Sequence, residues 1–395
     1  MRILVANQFG SVVGGAETYS FAIAKELAAT GYRVGFAFAD SFSNNINLRT
    51  SDGVESLGGH GSFASWLDAV DTFAPDVVYS QVLSNPWADH EIAKRWPGIL
   101  FNHNYSGACF SGTKQFRVPT TKLCSRPLGP MCLAHYLPRR CGGLNPLTAL
   151  RSYRREITRR ETFRQSRAVC VASRHMRSVM IQNGVPESKV HLLPLFPTHG
   201  DRDLHPPQPR PRANTILFAG RITRLKGWTH LVPAIAMAAK QLGQGLALMV
   251  AGDGPDRDKL VRLAAKWNVP LDFRGWLGPE PLRALMKQAD LLAVPSLWPE
   301  PFGLVGIEAG CVGTPAVAYG VGGIPDWLIP GVSGEMAPGD DLRPEPLAKA
   351  MVRALQDENH WQRLREGAWR QAGLFSRKSH LDRLLPILQE AADSR

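Results

Sequence analysis

The chain has 395 residues, and its 46 Lys and Arg against 34 Asp and Glu give a formal net charge of +12. Hydrophobic residues make up 44% and charged residues 20%, a composition that is typical of folded globular proteins and excludes wholesale disorder. The length is too great for one ordinary core and favours two domains. No stretch approaches the ~18 consecutive apolar residues of a membrane-spanning helix.

The start of the chain and its cysteines indicate a cellular compartment. The apolar part of Met1–Asn7 is too short for a signal peptide, and six Cys are too sparse for a disulfide scaffold. We therefore expect a cytoplasmic protein. A pI near 9.7 favours polyanionic or anionic-surface partners.

The first part of the chain alternates between strand and helix signals. Ile3–Ala6 is a short apolar run that predicts a strand, Gly14 and Gly15 interrupt it, and residues 19–30 have apolar side chains at helical spacing. Further strand-like runs occur at residues 33–39, 76–79 and 99–101. This alternation predicts a parallel sheet covered by helices.

A proline-rich stretch separates this pattern from a second one. Six prolines between residues 194 and 212 predict a linker, and strand-like runs return at residues 215–219, 246–251, 290–294 and 314–318. The predicted fold class is therefore α/β. The predicted domains are an N-terminal acceptor-side domain (1–205), a C-terminal nucleotide-sugar-binding domain (206–372) and a helical segment (373–395) that packs back toward the first. Ligands of such sheets bind at the carboxyl ends of the strands, so we expect a cleft between the domains.

The first glycine cluster follows the first predicted strand and opens a helix. Gly14 and Gly15 would allow the backbone to approach a phosphate, and the helix N-terminus would supply N–H donors. The segment is not G-x-G-x-x-G, which argues against a nicotinamide cofactor. A tight turn without a ligand is the alternative.

A basic loop at residues 220–227 follows the first strand of the second domain. Arg221 and Lys226 can together offset the two charges of a pyrophosphate without a metal ion. The alternative is a solvated basic loop with no ligand.

The sharpest signal is an acidic pair around a predicted helix start. Pro301 suits the first helical position, which would make Glu300 the N-cap and place Glu308 about two turns into the helix. A nucleotide sugar fits this layout, with the hexose at Glu300, the pyrophosphate at the helix start and the ribose near Glu308. The pyrophosphate would meet the backbone N–H groups of Phe302, Gly303 and Leu304. An ordinary capped helix with two exposed acids is the alternative.

Taken together, these segments resemble glycosyltransferase family 4, whose members are retaining enzymes with the two-domain GT-B fold. The resemblance rests on residues 14–17, 220–227, 289–290, 295–296 and 300–308, with 313–317 and 322–323 as its next segments. It implies two Rossmann-like α/β domains facing each other across a cleft. It also implies that Arg221 and Lys226 bind the diphosphate of the donor, Glu308 its ribose and Glu300 the transferred sugar. Asp326 departs from the family, which often has Glu there.

The resemblance is looser in the N-terminal half. It implies that Gly14 and Gly15 close over the donor phosphates from the other domain. His103 follows a strand and looks like the histidine with which family members position the sugar and the acceptor, although the usual Asp beside it is Asn104 here. In the implied retaining mechanism the leaving phosphate takes much of the acceptor proton, so His103 is a supporting catalytic residue. A structural histidine at a strand end is the alternative.

Two further patterns stand apart from the donor motifs. One loop-rich segment contains four cysteines: Cys109, Cys124, Cys132 and Cys141. They could hold a structural zinc ion or remain reduced thiols, and the lack of a C-x2-C pair argues against the metal. The Arg151–Arg167 stretch predicts a basic helix with Leu150, Tyr153 and Ile157 on one face. It is a candidate surface for anionic lipid headgroups, or a solvated face. Nucleic acid is not expected, because no aromatic stacking platform accompanies the charge.

We therefore predict a retaining, metal-independent glycosyltransferase that moves a sugar from a nucleotide-diphosphate sugar to a hydroxyl acceptor, in polysaccharide, glycolipid or lipid-linked glycan biosynthesis. His103 and Glu300 are the predicted catalytic residues. No cofactor and no metal are expected, because helix capping and solvation explain the two Asp-x-Asp strings at 201–203 and 256–258. The protein would be cytoplasmic, with peripheral contact to the inner face of the membrane. A GT-B epimerase or phosphorylase and a non-catalytic binder of anionic surfaces are the alternatives.

Overall fold

A computed structural model describes residues 1–11, 14–38, 53–58, 63–198 and 200–394. Val12 and Val13 of the predicted glycine loop, and Ala39 at the end of a predicted strand, lie outside the described residues. The elements in chain order are β1 (Arg2–Asn7), α1 (Gly15–Ala29), β2 (Arg33–Phe38), β3 (Val54–Ser56), α2 (Phe63–Phe73), β4 (Val77–Ser80), α3 (Pro86–Arg95), β5 (Gly98–Asn102), β6 (Gln115–Phe116), β7 (Lys122–Leu123), α4 (Met131–Tyr136), α5 (Pro146–Gln165), β8 (Ala168–Val171), α6 (Arg174–Gln182), β9 (Val190–Leu192), β10 (Thr215–Ala219), α7 (Trp228–Leu242), β11 (Ala247–Ala251), α8 (Arg257–Lys266), β12 (Leu271–Gly275), α9 (Pro279–Gln288), β13 (Leu291–Val294), α10 (Leu304–Gly310), β14 (Ala316–Tyr319), β15 (Gly334–Ala337), α11 (Pro344–Leu355), α12 (Glu358–Ala372) and α13 (Arg377–Asp393).

The chain forms two compact units, each built around one parallel sheet. Unit 1 comprises Met1–Pro119, Cys124–Leu195 and Arg377–Arg395, and unit 2 comprises Thr120–Leu123 and Phe196–Ser376. The described units thus divide at residues 195/196 and again at 376/377, where the sequence predicts boundaries at 205/206 and 372/373. Among the described residues, no helix is both long enough and apolar enough to cross a membrane.

Unit 1 contains a seven-stranded sheet in the order β3-β2-β1-β4-β5-β8-β9, and every described strand pair in it is parallel. Ile3, Leu4 and Val5 of β1 are completely buried because helices cover both faces of such a sheet. In α1, Tyr19, Ile23 and Leu27 are spaced four residues apart and all buried, which makes them one apolar helix face. The α/β prediction is confirmed for this half.

Unit 2 contains a six-stranded parallel sheet in the order β12-β11-β10-β13-β14-β15. In this doubly wound order the first two crossovers run to one side and the next to the other, so the direction reverses between β10 and β13. In unit 1 the corresponding reversal falls between β1 and β4. Each reversal leaves a crevice at the carboxyl ends of the two central strands, where ligands of such sheets bind.

The last helix, α13, belongs to unit 1 although its sequence follows unit 2. His380 is 2% exposed, and its Nε2 lies 2.8 Å from the Tyr19 hydroxyl. Its Nδ1 lies 2.7 Å from the carbonyl oxygen of Pro194. The Tyr19 hydroxyl in turn lies 2.7 Å from that of Tyr79, so a buried chain of polar groups joins α13 to α1 and β4.

The proline-rich stretch is held tightly against unit 2. Arg210 pairs with the fully buried carboxylate of Asp290 at 2.9 Å, and Asp203 pairs with Arg283. Trp369 Nε1 donates to the carbonyl of Asp203 at 2.8 Å. These contacts order a segment that the sequence predicts as a linker, because its charged side chains find partners that proline content alone does not reveal.

The basic helix differs from its prediction in two respects. Helix α5 ends at Gln165, so Arg167 of the predicted Arg151–Arg167 helix lies beyond it. Arg159 is 3% exposed and donates to the carbonyl oxygens of Leu83 and Ser84 as well as pairing with Glu156. Arg159 is therefore an internal support, since unpaired backbone carbonyls at that point recruit its guanidinium.

Candidate functional site

The sequence-predicted donor residues of unit 2 gather at the reversal point of its sheet. Lys226 lies in a short 3-10 turn, Arg224–Lys226, that follows β10, and Glu300 lies in the segment that follows β13. Because β10 and β13 are neighbouring parallel strands, their carboxyl ends bring these two segments together. Lys226 Nζ lies 2.7 Å from Glu300 Oε1.

The Glu300 carboxylate is buried and held by three donors. It is 4% exposed, and its Oε1 accepts hydrogen bonds from Lys226, from the Ser296 hydroxyl and from Trp298 Nε1 at 2.9 Å. The Lys226 ammonium also lies 5.7 Å from the centre of the Trp298 ring. These contacts fix the position of the carboxylate without any ligand.

The electrostatic environment keeps Glu300 ionised. Burial alone would raise the pKa of the Glu300 carboxyl, but the Lys226 charge and the hydrogen bonds from Lys226, Ser296 and Trp298 outweigh it and leave the pKa below its usual value. A buried carboxylate that stays charged at neutral pH is a strong hydrogen-bond acceptor for hydroxyl groups.

The predicted helix start at Pro301 is wrong by three residues. Helix α10 begins at Leu304, and Gly303 is its N-cap with φ of 87°. This left-handed conformation suits glycine and breaks any helix begun at Pro301, so Glu300 is not an N-cap. Glu308 consequently lies about one turn into α10 rather than two. Phe302, Gly303 and Leu304 form the turn between Glu300 and the helix.

Glu308 has its own partner within unit 2. It is 7% exposed, and its Oε1 accepts a hydrogen bond of 3.1 Å from the Thr198 hydroxyl. The assignment of Glu308 to the donor ribose stays a prediction. The alternative of two exposed acids is wrong, because both side chains are buried.

A glycine pair backs the Glu300 segment. The N–H of Gly323 donates to the backbone carbonyl of Glu300 at 2.7 Å. A Cβ added at Gly322 would come within 2.1 Å of that same carbonyl oxygen, and its φ is 61°. Gly322 therefore permits the close backbone approach that holds Glu300 in place.

Arg221, the other predicted diphosphate ligand, directly follows Gly220 at the end of β10. Its side chain is exposed, whereas Lys226 is half-buried against Glu300. The two cations thus have different surroundings, one in solvent and one engaged with the carboxylate.

The predicted residues of unit 1 also follow strand ends. Gly14 is the N-cap of α1 in an extended conformation, and Gly15 is the first residue of that helix. Among the described residues, nothing lies within 4 Å of a Cβ added at Gly15. Its backbone is therefore open on that side, as an approaching ligand would require.

His103 follows β5 and lies in an aromatic setting. Its Nε2 is 2.8 Å from Gln81 Oε1, and its ring centre is 4.4 Å from that of Phe101 and 5.3 Å from that of Tyr19. Burial, with a smaller contribution from His380, lowers the pKa of His103 to about 3. The imidazole is therefore neutral at physiological pH and can orient a hydroxyl by hydrogen bonding, but it is a weak base.

Sequence reasoning missed several supporting residues. Gln81 positions His103 and follows β4, Trp298 and Ser296 hold Glu300, and Thr198 holds Glu308. Only Ser296 and Trp298 carry a local signal, since they lie within four residues of Glu300 in the same segment. Thr198 and Gln81 act across long sequence separations that no local pattern encodes.

Within the described part of the chain, no group of three or more His, Cys, Asp or Glu side chains is arranged to hold a metal ion as it stands. One carboxylate of each Asp-x-Asp string has a cationic partner. Asp203 pairs with Arg283 and Lys287, and Asp256 pairs with Lys259 at 2.7 Å.

The C-terminal part of the chain matches a known protein family. Residues 201–371 match the model of "Glycosyl transferases group 1". The chain is 34% identical over 188 residues to the D-inositol 3-phosphate glycosyltransferase of Corynebacterium kroppenstedtii, a match covering 45% of this chain and 41% of that protein. The chain spans about half the length, or less, of the curated relatives it matches.

Solved structures resemble the chain over its whole length. Sucrose-phosphate synthase from Thermosynechococcus elongatus superimposes with a TM-score of 0.74 at 18% identity, covering 100% of both chains. HepE from Anabaena in complex with UDP-glucose gives a TM-score of 0.65 at 20% identity, covering 100% of this chain and 99% of that one. At such identities the likeness shows the fold alone, and the GT-B prediction is confirmed. The finer assignment to glycosyltransferase family 4 stays a prediction.

Proposed function

We propose that the protein is a retaining glycosyltransferase, on the premise that residues 201–371 match the model of the glycosyl transferases group 1 family. It would move a sugar from a nucleotide-diphosphate sugar to a hydroxyl acceptor. The observation that carries the proposal is the buried, ionised Glu300 carboxylate, paired with Lys226 at the reversal point of the unit 2 sheet.

The chemistry of this site fits a donor with hydroxyl groups at one end and a diphosphate at the other. All three described donors to Glu300 meet Oε1, so we assign Oε2 to the hydroxyls of the transferred sugar. We assign the ribose hydroxyls to Glu308, because a vicinal diol can bridge a carboxylate. The exposed guanidinium of Arg221 and the ammonium of Lys226 would offset the diphosphate charge, which makes donor binding independent of a metal ion.

In a transfer that retains the anomeric configuration, the side chains would need to move few protons. The leaving diphosphate would take the acceptor proton, and the neutral His103 ring would orient the sugar and acceptor hydroxyls. Its low pKa supports this assignment, since an imidazole with a pKa near 3 removes protons poorly at neutral pH.

The first experiment is a thermal-shift panel of UDP, GDP, ADP and CDP with their common sugars, with and without EDTA. UDP-glucose is the natural first donor, because HepE was solved with it. We expect one nucleotide family to raise the melting temperature and EDTA to leave that shift unchanged. A shift that requires a divalent metal would contradict metal independence, and no shift with any nucleotide would contradict the donor site.

Glu308→Gln provides the matched test of the ribose assignment. This variant should weaken nucleotide binding about tenfold, the effect of losing one charge-assisted hydrogen-bond pair. Glu345→Gln, the same change at an exposed position of α11, should leave it unaltered. Equal binding by both variants would remove Glu308 from the donor site.

Transfer itself is tested by adding acceptors to the donor that binds. Inositol 3-phosphate is the first candidate because a relative is named for it, followed by lipid-linked glycans. Sugar transfer with retained anomeric configuration, followed by NMR, is the expected result. Release or isomerisation of the sugar without any acceptor would favour an epimerase, and dependence on inorganic phosphate would favour a phosphorylase.

We further propose that unit 1 contacts an anionic membrane surface. Exposed apolar side chains cluster next to exposed arginines in α4, α5 and the segment between them. The apolar members are Met131, Leu137, Leu144, Leu147 and Leu150, and the arginines are Arg139, Arg140, Arg151, Arg154 and Arg155. Apolar side chains beside basic ones are typical of segments that lie in the headgroup region.

Flotation with lipid vesicles tests this surface. The protein should float with phosphatidylglycerol vesicles at low salt and not with phosphatidylcholine vesicles. Leu144→Ser/Leu147→Ser should abolish flotation, while Leu204→Ser, at a 90% exposed leucine of unit 2, should have no effect. Unchanged flotation of the double variant would contradict the proposal.

A further inference from the structure

Four cysteines and one histidine line a single cavity in unit 1. The cavity volume is about 20 Å³, enough for one small group. Its chemistry-bearing walls are Cys109, Cys124, Cys132, Cys141 and His135. Cys109 precedes β6, Cys124 follows β7, Cys132 and His135 lie in helix α4, and Cys141 lies between α4 and α5. Chain folding thus brings together thiols spread over 33 positions.

The four thiols are close enough to influence one another. Burial raises the pKa of the Cys124 thiol, and Cys109 and Cys132 act in the same direction. Burial, with Cys124, Cys109 and Cys132, raises the pKa of Cys141 to about 11.

The histidine supplies an independent observation. His135 Nε2 is buried and has no hydrogen-bond partner among the described residues. Its ring packs edge-on against Phe116, with the centres 5.8 Å apart. A buried ring nitrogen without a partner is costly, and at the wall of a thiol-lined cavity it can serve a ligand or donate to a metal-bound sulfur.

As they stand, the thiols are turned toward oxygen atoms rather than toward one centre. Cys109 Sγ lies 3.2 Å from Ser111 Oγ, Cys132 Sγ lies 3.7 Å from the Pro127 carbonyl, and Cys141 Sγ lies 3.6 Å from the His135 carbonyl. These are weak S–H···O contacts. Among the described residues the thiols are not arranged around a metal ion as they stand, so binding one ion would require the sulfurs to turn from these oxygen atoms toward the cavity.

From this arrangement we propose that Cys109, Cys124, Cys132 and Cys141 bind a zinc ion as four thiolates, with His135 Nε2–H donating to one of the bound sulfurs. Four sulfur ligands are the set that a structural zinc site takes. The four thiols release their protons to solvent as the metal binds, so affinity rises with pH. The ion would tie the loops around β6 to α4.

This site shares no residue with the proposed transfer reaction, because none of the residues that line the cavity is a predicted donor or catalytic residue. Zinc binding should therefore persist in Glu308→Gln, and nucleotide binding should persist in a zinc-free variant. Failure of one proposal thus leaves the other testable.

The test measures zinc by mass spectrometry in protein purified without chelators. We expect about one zinc ion per chain in the wild type and in Cys311→Ser, a control at a buried thiol of unit 2. Cys124→Ser/Cys141→Ser should retain less than a tenth of that amount. Addition of Co²⁺ to the metal-free wild type should produce the intense thiolate-to-cobalt absorption of a tetrahedral sulfur site, which guards against a variant that merely misfolds.

Three results would overturn the proposal. The first is a wild type that carries no zinc and binds none on titration with Zn²⁺. The second is a double variant that carries as much zinc as the wild type. The third is a peptide map that shows these cysteines joined to one another as disulfides in the purified protein, because oxidised cysteines do not bind zinc.

Discussion

At the scale of single residues, the main feature of the candidate site in unit 2 is the ion pair between Lys226 and the buried Glu300 carboxylate. Each side chain is placed by a different strand end. Removing the cation alone leaves a buried, unpaired carboxylate and strongly destabilises the fold, whereas replacing both partners by uncharged residues costs much less stability. The two residues therefore act as one unit, and substitutions should be interpreted in pairs.

Lys226→Met should destabilise unit 2 by about 3 kcal/mol, since it leaves the Glu300 charge buried without its cation. Lys226→Met/Glu300→Gln should recover most of that loss, because the charge is removed together with its partner. Denaturant unfolding of the wild type, both single variants and the double variant measures the coupling.

The control for this cycle is Lys259→Met, which removes the surface pair with Asp256 and should change stability by less than ~0.5 kcal/mol. Equal stability of Lys226→Met and the wild type would show that Glu300 does not depend on Lys226.

Glu300→Gln should separate catalysis from nucleotide binding. If the carboxylate holds the transferred sugar, sugar transfer should fall at least ~100-fold while affinity for the free nucleotide changes less than about threefold. Glu280→Gln, at an exposed position of α9, is the matched control. An equal loss of both properties in Glu300→Gln would place this residue in the diphosphate site instead.

These residue-scale features were only partly predictable. The sequence places Lys226 in a loop after a strand, and Glu300 and Glu308 around a helix start, because strand, loop and helix patterns are local. It paired Lys226 with a diphosphate and not with Glu300, because a contact between residues 74 positions apart depends on strand order. Thr198 and Gln81 were missed for the same reason.

At the scale of elements, α10 and α13 illustrate what local sequence signals resolve. Pro301 is a good helix opener, yet α10 begins after Gly303, because backbone conformation at one glycine overrides the proline signal. Helix α13 was predicted from its periodicity, but the partners of its buried histidine lie more than 180 residues away. Element existence follows from periodicity, whereas element ends and partners depend on tertiary contacts.

His380→Phe tests how α13 is held. The substitution keeps an aromatic ring but removes the hydrogen bonds to Tyr19 and to the Pro194 carbonyl, so unit 1 should lose about 2–3 kcal/mol. Lys378→Ala, at a side chain that is 84% exposed, should change stability by less than ~0.5 kcal/mol. Thermal unfolding of both variants measures the difference, and equal melting temperatures would mean that apolar packing alone secures the helix.

At the scale of the whole molecule, two histidines make unit 1 sensitive to acid. Burial lowers the pKa of His103 to about 3 and that of His380 to about 4, whereas both are near 6.5 in an unfolded chain. Below pH 6.5 the unfolded state therefore binds more protons than the folded one. Stability falls as the pH falls through that window.

When the pH falls from 7 to 5, each histidine should lower the free energy of unfolding by about 2 kcal/mol. His103→Gln should accordingly lose less stability than the wild type over this interval, by about that amount. Urea unfolding at both pH values measures the difference, with His205→Gln, at an exposed histidine of unit 2, as the control. An identical pH dependence in His103→Gln would show that this ring is protonated readily in the folded state.

The discontinuity of unit 1 has a consequence for synthesis. A ribosome that has finished Leu195 must translate the whole of residues 196–376 before α13 emerges, a delay on the order of ten to forty seconds at ~5–20 residues per second. During that time the Tyr19 hydroxyl, which contacts that of Tyr79, lacks its His380 imidazole partner, while unit 2 can already fold. Unit 1, whose synthesis begins first, is therefore completed last. Until α13 is synthesised, the apolar surface of unit 1 that this helix covers stays exposed and available to chaperones.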